Sequence, residues 1–514
     1  MWAERFGKYQ ARQYLLHVLA AYTCSIHLLS QNTVGGKPAY SCVDTNVSIT
    51  NGTEPDNSCF IWTDNITTSC QSWKYDTKYY GNTIVTQWDL VCDRRWLESF
   101  AQTVYMIGVL IGSPIHGSMA DKYGRKRVLC ITATIQLFLG VAVSFCNSYN
   151  LYVSARFFLG LLGASGTYLT GFVLTMEMVS SRHRSFCGFG FQFAFASGVM
   201  TVAAWGYAIK DWNILQLVYG LHGLLLIGHW WFVDESPRWL YSRGRIQESK
   251  QIIQKAVAVN GQDIPLASVS EEKLATMFSS CDSAETLGLF DLLKKPRLRA
   301  RLLNACFSWF ANSFVYYGLS FNSAALEGNP HLMLFLVSVV ELPAYVFTPL
   351  LVDRIGRRCT MSIFMLFGGV ICIVSANIPK DFGMGLVQIS TVLTGKLLIS
   401  GSFGIIYNYT AELFPTVVRN SAIGAGTMMA GLSGALSPVV LLLDSIGPSI
   451  PSTVFGGTAM MAGFSALLLP ETLNKPICET LDEGEEFGKG DTFFAACLSK
   501  MDKDRNRQSN MSDP

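Results

Sequence analysis

Long apolar stretches, separated by short charged or turn-rich segments, run through most of this chain. A helix needs roughly 20 apolar residues to cross a bilayer core. Twelve stretches meet that length, near residues 13–33, 99–119, 127–146, 151–178, 185–209, 213–233, 302–322, 331–352, 359–378, 386–411, 420–443 and 450–469. The polar positions between them repeat. Residues 117–127 read GSMADKYGRKR and residues 349–358 read PLLVDRIGRR, so an acid, a glycine and a basic run recur in matched loops. Glu177 and Arg184, seven apart, recur as Glu412 and Arg419, and Asp234-Glu235-Ser236 recurs as Pro470-Glu471-Thr472. The pattern predicts an all-α membrane protein whose twelve transmembrane helices form two pseudo-symmetric six-helix bundles. Secondary transporters build their sites between such halves.

Composition agrees. Half the residues are apolar and 15% are charged, against about 25% in a typical soluble domain, and mean hydropathy is +0.30. A net charge of +2 with no long basic tract argues against nucleic acid as a partner; the expected surroundings are the lipid bilayer. Lys and Arg placement sets the orientation. Arg5, Lys8 and Arg12 precede the first stretch, Lys122, Arg125, Lys126 and Arg127 follow the second, and Arg354, Arg357 and Arg358 follow the eighth. Arg238, Arg243, Arg245, Lys250, Lys255 and the basic run 294–301 lie between the sixth and seventh. All fall on one face, which predicts a multi-pass plasma-membrane protein with both termini cytoplasmic.

The expected order is a cytoplasmic N-terminus 1–12, a first bundle 13–233 and a linker 234–301, then a second bundle 302–470 and a cytoplasmic tail 471–514. The linker holds two helix-like runs, 246–259 and 271–278, expected as amphipathic helices on the inner membrane surface. The tail is polar and expected to be disordered after about residue 490. An outer loop, 34–98, carries Cys42, Cys59, Cys70 and Cys92 with acceptor sequons at Asn46, Asn51 and Asn65. On the outer face these suit glycosylation and two disulfides, with three pairings open. The same loop is the candidate contact for a homo-oligomer.

Acids at the inner helix ends need partners, because unpaired charge is costly near lipid. Topology alone explains the basic loops, but not acids at matched offsets. Asp121, Arg125, Glu177, Arg184 and Glu235 are therefore expected to close the inner side of the first half. Asp353, Arg357, Glu412, Arg419 and Glu471 would do so in the second. Gly124 supplies the tight turn between the first two.

At these residues the chain resembles the major facilitator superfamily, whose loop signature G-x-x-x-D-[RK]-x-G-R-[RK] matches 117–126. The closer resemblance is to its organic cation, anion and carnitine transporter family. It is carried by Glu235-Ser236-Pro237-Arg238-Trp239-Leu240, Trp309-Phe310, Tyr317-Gly318-Leu319, Glu341-Leu342-Pro343, Ala411-Glu412-Leu413-Phe414-Pro415-Thr416 and Pro470-Glu471-Thr472-Leu473. Asp234 stands where a proline is common, and Pro349 where glycine is. The resemblance implies a carrier of small organic ions, not an enzyme. Consistent with that, the chain lacks a Gly-rich phosphate loop, a nucleophile elbow and a metal-ligand cluster, so no cofactor and no metal are expected.

Local alignment to the family places substrate-facing aromatics at Tyr168, Phe195 and Trp309, with Gln192 one turn before Phe195. Tyr316, Tyr317 and Tyr407 are further candidates, since aromatic faces attract organic cations by roughly 0.5–2 kcal/mol each. Glu341 interrupts an apolar stretch just before Pro343, and an acid there is expected to face the interior. Lys396 in the tenth stretch and Arg156 in the fourth are the corresponding basic residues, nearer the outer face, either as substrate contacts or in ion pairs between helices. Family members that prefer cations tend to carry an acid in the eleventh helix, and anion carriers an arginine. Gly431 stands at that position and supplies neither charge. Among the histidines, His27 lies deepest and is the candidate for proton coupling. The leading expectation is uptake of organic cations or zwitterions, carnitine-like in charge. The alternatives are an organic anion exchanger or proton-coupled symporter, and a non-transporting receptor or scaffold.

Overall fold

The computed structural model describes residues 6–43, 59–63, 66–261, 289–326, 328–378, 385–415, 417–473, 475, 478 and 480–489. Twelve long helical segments form its frame. In the first half these are α1 (Lys8–Leu29), α2 (Trp96–Tyr123), α3 (Arg125–Ala142), α4 (Tyr149–Met178), α5 (Ser181–Ala208) and α6 (Trp212–Phe232). In the second they are α7 (Pro296–Phe321), α8 (Pro330–Ile355), α9 (Arg357–Ala376), α10 (Gly385–Leu413), α11 (Arg419–Leu441) and α12 (Ile450–Ala466). Nine helices among the described residues are long and apolar enough to cross a membrane by themselves. The halves meet where α2 packs on α11 and α5 on α8. Within α4, residues Leu159–Ala164 form a π-helical turn.

Close crossings explain several small residues. A Cβ on Gly108 or Gly112 of α2 would lie 2.5 and 2.3 Å from backbone oxygens of α4. Glycine there lets the two helix backbones touch, which any side chain would prevent.

Outside the membrane frame, β1 (Tyr40–Cys42) pairs antiparallel with β4 (Trp73–Tyr75), and β2 (Phe60–Thr63) with β3 (Ile66–Ser69). Of the three pairings open to the sequence, the fold selects Cys42–Cys70 and Cys59–Cys92. The acceptor residues Asn46, Asn51 and Asn65 lie outside the described residues, as do the run 271–278 and the tail beyond 490.

Two cytoplasmic expectations change. Helix 246–259 buries Ser249, Ile253, Ala256 and Val257. Ile253, Ala256 and Val257 pack with Tyr9, Leu174 and Met178 at the base of the first half, so its apolar stripe is covered by protein rather than laid on lipid. Asp234 holds it there, accepting from Tyr9 Oη (3.0 Å), Gln13 Nε2 (3.1 Å) and Lys255 Nζ (2.7 Å). The basic run 294–301, expected in the linker, instead largely forms the first turns of α7. Pro296 opens that helix, and Glu485 accepts from the free N–H groups of Arg297 and Leu298 at 2.9 and 3.0 Å. An acceptor at this end suits the orphan donors and the helix dipole.

Candidate functional site

At the inner end of the first half, Arg125 pairs with Asp121 at 2.8 Å and with Glu177 at 3.2 Å. Glu235 takes another role. Its carboxylate accepts from the backbone N–H groups of Arg125 (3.0 Å) and Lys126 (3.1 Å), capping α3. Burial pushes the Glu235 carboxyl above its ordinary range, opposed by those N–H donors and by Arg125. The second half repeats the design. Arg357 pairs with Glu412 at 3.0 Å and Asp353 at 3.5 Å, while Glu471 accepts from Arg357 N (3.0 Å) and Arg358 N (3.1 Å). Thr472 adds a donor to Glu412 at 2.6 Å.

The glycines follow from this geometry. Gly124 and Gly356 have φ of +109° and +106°, where L side chains are strained. A Cβ would also stand 2.4 and 2.5 Å from the carboxylates of Glu235 and Glu471. Arg184 and Arg419 sit near the starts of α5 and α11. Each of these ion pairs joins helices of one half, and none of them bridges the two.

Deeper, a buried ion pair links α8 to α10. Glu341 and Lys396 approach to 3.1 Å with 2% and 0% of their side chains exposed. Both Tyr316 and Tyr345 donate to the same Glu341 oxygen, at 2.9 and 3.0 Å. Lys396 donates to Ser320 Oγ at 2.6 Å and lies 3.3 Å from the Tyr316 ring centre. The two charges balance within the buried site. Removing one member of such a pair strands the other, at a cost of about 3–5 kcal/mol.

Aromatic rings connect this pair to the seam between the halves. Tyr168 stacks edge-on against Phe191 and Phe195 at 5.7 and 6.1 Å. Phe172 of the first half meets Tyr407 of the second at 5.9 Å. Tyr407 touches Trp309 at 4.4 Å, and Phe403 joins Trp309 to Tyr316 at 6.2 and 5.5 Å. Gln192, buried one turn before Phe195, belongs to the same face of α5. Tyr317 is partly buried against Phe321 and Gly434.

Two expected substrate residues are placed otherwise. Trp309 is wholly buried, its indole donating to Thr410 at 3.0 Å and filling the space over Gly426, so Tyr407 shields it from the seam. Gly431 lies where α11 crosses α2, and a Cβ there would come 3.0 Å from Leu110. The missing side chain serves that crossing. Sequence reasoning missed Tyr345, Phe403 and Ser320. Each had a spacing signal: Tyr345 follows Glu341 by one helical turn on α8, Ser320 follows Tyr316 by one turn on α7, and Phe403 follows Lys396 by two turns on α10.

At the end of the bundle that carries the disulfide-bearing loop, polar contacts join the halves. Asn32 donates to Ser320 O at 2.8 Å, His331 donates to Tyr79 O at 3.3 Å, and Arg95 pairs with Asp444.

Comparison with known proteins matches this architecture. The profile described as "Sugar (and other) transporter" matches residues 57–482. The "Organic cation transporter protein" of Drosophila melanogaster is 36% identical, over 94% of this chain and 93% of its own. The human "Organic cation/carnitine transporter 2" is 32% identical over 81% and 74% respectively. Among solved structures, the proton:xylose symporter XylE bound to 6-bromo-6-deoxy-D-glucose aligns at TM-score 0.62 and 19% identity, over 94% of this chain and 99% of its own. An inward-open XylE aligns with the same TM-score at 17% identity. At that identity the likeness speaks for the fold.

Proposed function

We propose that this chain, which belongs to the major facilitator superfamily and within it to the organic cation, anion and carnitine transporter family, carries small organic zwitterions or cations across the plasma membrane. It is a transporter by family and fold, working by alternating access. One observation carries the substrate reading: the buried Glu341–Lys396 pair within a tyrosine and phenylalanine surround.

A substrate ammonium group competes with Lys396 for Glu341. A simple cation that wins leaves Lys396 buried without a counter-charge, which is expensive. A zwitterion returns the balance, its carboxylate taking Lys396 while its ammonium sits at Glu341 and against the rings. A carboxylate alone has the converse difficulty at Glu341. The names of the relatives, organic cation and carnitine transporters, agree with this order of preference. Tyr168, Gln192, Phe195, Tyr316, Tyr317 and Tyr407 form the surround, and Trp309 backs it.

The paired inner networks brace each half in the outward-closed arrangement. Their role in the cycle is to fasten helix ends as the halves rock, with Arg125 and Arg357 as the centres. The Lys and Arg asymmetry and the disulfide-bearing outer loop support cytoplasmic termini.

The test is uptake of a labelled betaine-type zwitterion, tetraethylammonium and an aromatic carboxylate, with and without a pH gradient. Uptake should fall in that order and be insensitive to the gradient. Preferential uptake of the carboxylate would reject the reading, and a gradient-driven signal would favour a proton symporter.

A further inference from the structure

The outer seal is built differently on its two sides. Segment 73–95 travels with the first half. Trp88 sits against Tyr149, Tyr152 and Trp212 with ring centres 5.9, 5.5 and 5.5 Å away. Gln87 accepts from the Trp212 indole at 2.5 Å, Asn82 bridges to Asp211, and the Cys59–Cys92 disulfide closes the base. Burial of so many aromatic faces fixes the segment to α4 and α6.

The second half meets this segment through His331. Pro330 begins α8, and Asn329 caps it by accepting from the His331 N–H at 3.0 Å. The imidazole is thereby held on a rigid helix start. It is 4% exposed and reaches into a recess of the first half lined by Thr33, Tyr79, Tyr80, Gly206 and Lys210. Its Nε2 donates to Tyr79 O at 3.3 Å, and its ring stands edge-on to Tyr80 at 5.1 Å. Gly206 makes the recess deep enough: a Cβ there would be 2.9 Å from His331 Nδ1. A side chain of one half is seated in a socket of the other, and its lip is pinned by a disulfide-closed loop.

We propose that His331 is the positioning residue that latches the outer mouth shut, and that it must leave this socket for the transporter to face outward. The inference rests on alternating access, but not on which solute is carried. Losing one hydrogen bond and one aromatic edge contact removes roughly enough to shift the inward-to-outward ratio about tenfold. The effect belongs to the conformational equilibrium, so it appears with no substrate present.

The experiment uses the full-length chain in intact cells, with Met106→Cys as reporter. Met106 is buried on α2 beside Gly434 of α11, and a membrane-impermeant thiol reagent added outside reaches it when the outer mouth opens. His331→Ala in this background should label about tenfold faster than its parent, while His331→Gln, which keeps a donor, should label near the parental rate. Gly206→Ala should also speed labelling, by crowding the socket from the opposite half. Tyr80→Ala should do so as well, and the double variant H331A/Y80A should show less than the product of the single effects. Surface biotinylation normalises for delivery. Unchanged labelling in both His331→Ala and Gly206→Ala would overturn the latch, even with transport intact. Additive effects of H331A and Y80A would overturn it too, as general loosening. Loss of uptake with the labelling pattern preserved would instead count against the transport reading alone.

Discussion

The inner ends of the two halves are near copies, whereas their cores have parted. Each inner end has an arginine between two acids, a glycine at positive φ and a glutamate capping the next helix. Each core also buries a basic side chain deep among its helices, but satisfies it differently. In α10 Lys396 has a carboxylate, Glu341. In α4 Arg156 is equally buried, donates to His27 O (3.0 Å), Ser30 Oγ (3.0 Å) and Gln102 Oε1 (2.7 Å), and makes no ion pair among the described residues. Its guanidinium lies 4.4 Å from the Tyr105 ring centre. The second half pairs its buried lysine with an acid, whereas the first half satisfies its buried arginine with neutral acceptors.

The sharpest break of this contrast is at the buried cations. Lys396→Gln strands Glu341 and should cost about 3–5 kcal/mol, read as lost surface delivery and a lower melting temperature in detergent. Arg156→Gln leaves only neutral acceptors and should cost about 1–3 kcal/mol. The double variant E341Q/K396Q should recover delivery without recovering uptake. Equal melting temperatures for the two single variants would erase the distinction between the cores.

A smaller effect tests the symmetry of the ends. Gly124→Ala and Gly356→Ala each force a side chain to positive φ and onto a carboxylate, for about 1–3 kcal/mol. Turnover should drop about tenfold in both, with half-saturation little changed. A drop in only one would show that the ends are not equivalent in the cycle.

Next comes the aromatic wall. Trp309→Phe removes the bond to Thr410, worth about 1 kcal/mol, and should lower stability more than affinity. Phe195→Ala should raise half-saturation for the zwitterion, because this ring packs edge-on against Tyr168. If Trp309→Phe changed affinity alone, Trp309 would belong to the binding surface. The mildest change is at the exposed acids. Asp121 and Asp353 are 69% and 73% exposed, and such pairs are worth about 0–1 kcal/mol. Asp121→Asn and Asp353→Asn should therefore alter turnover less than twofold, at any salt concentration used for uptake.

Much of the inner-end chemistry was readable as a string. Apolar period, loop charge and the repeated Asp, Gly, Arg and Glu are local properties, and a duplication shows itself by spacing. Asp121 and Arg125, like Asp353 and Arg357, meet across one tight loop, whereas Glu235 and Glu471 return from over a hundred residues further along. The pairing of Glu341 with Lys396 was left open, as substrate contact or ion pair. Its partners come together across three helices, Tyr316 and Ser320 from α7, Tyr345 beside Glu341 on α8 and Lys396 from α10, and no spacing records the relative rotation of those helices. For the same reason Trp309 proved enclosed, and Gly431 proved to serve a helix crossing.

Hydropathy and repeated charge, by themselves, set twelve crossings, two related halves and the inner-end residues. Burial in lipid leaves a helix few alternatives, and a tight loop brings its neighbours together without help. Tertiary packing alone decided which disulfides form, where helix 246–259 docks, how a buried acid finds its cation and how His331 finds its socket. Those choices depend on the relative rotation and depth of helices far apart in the chain. The energy that selects them comes from many side chains fitting at once.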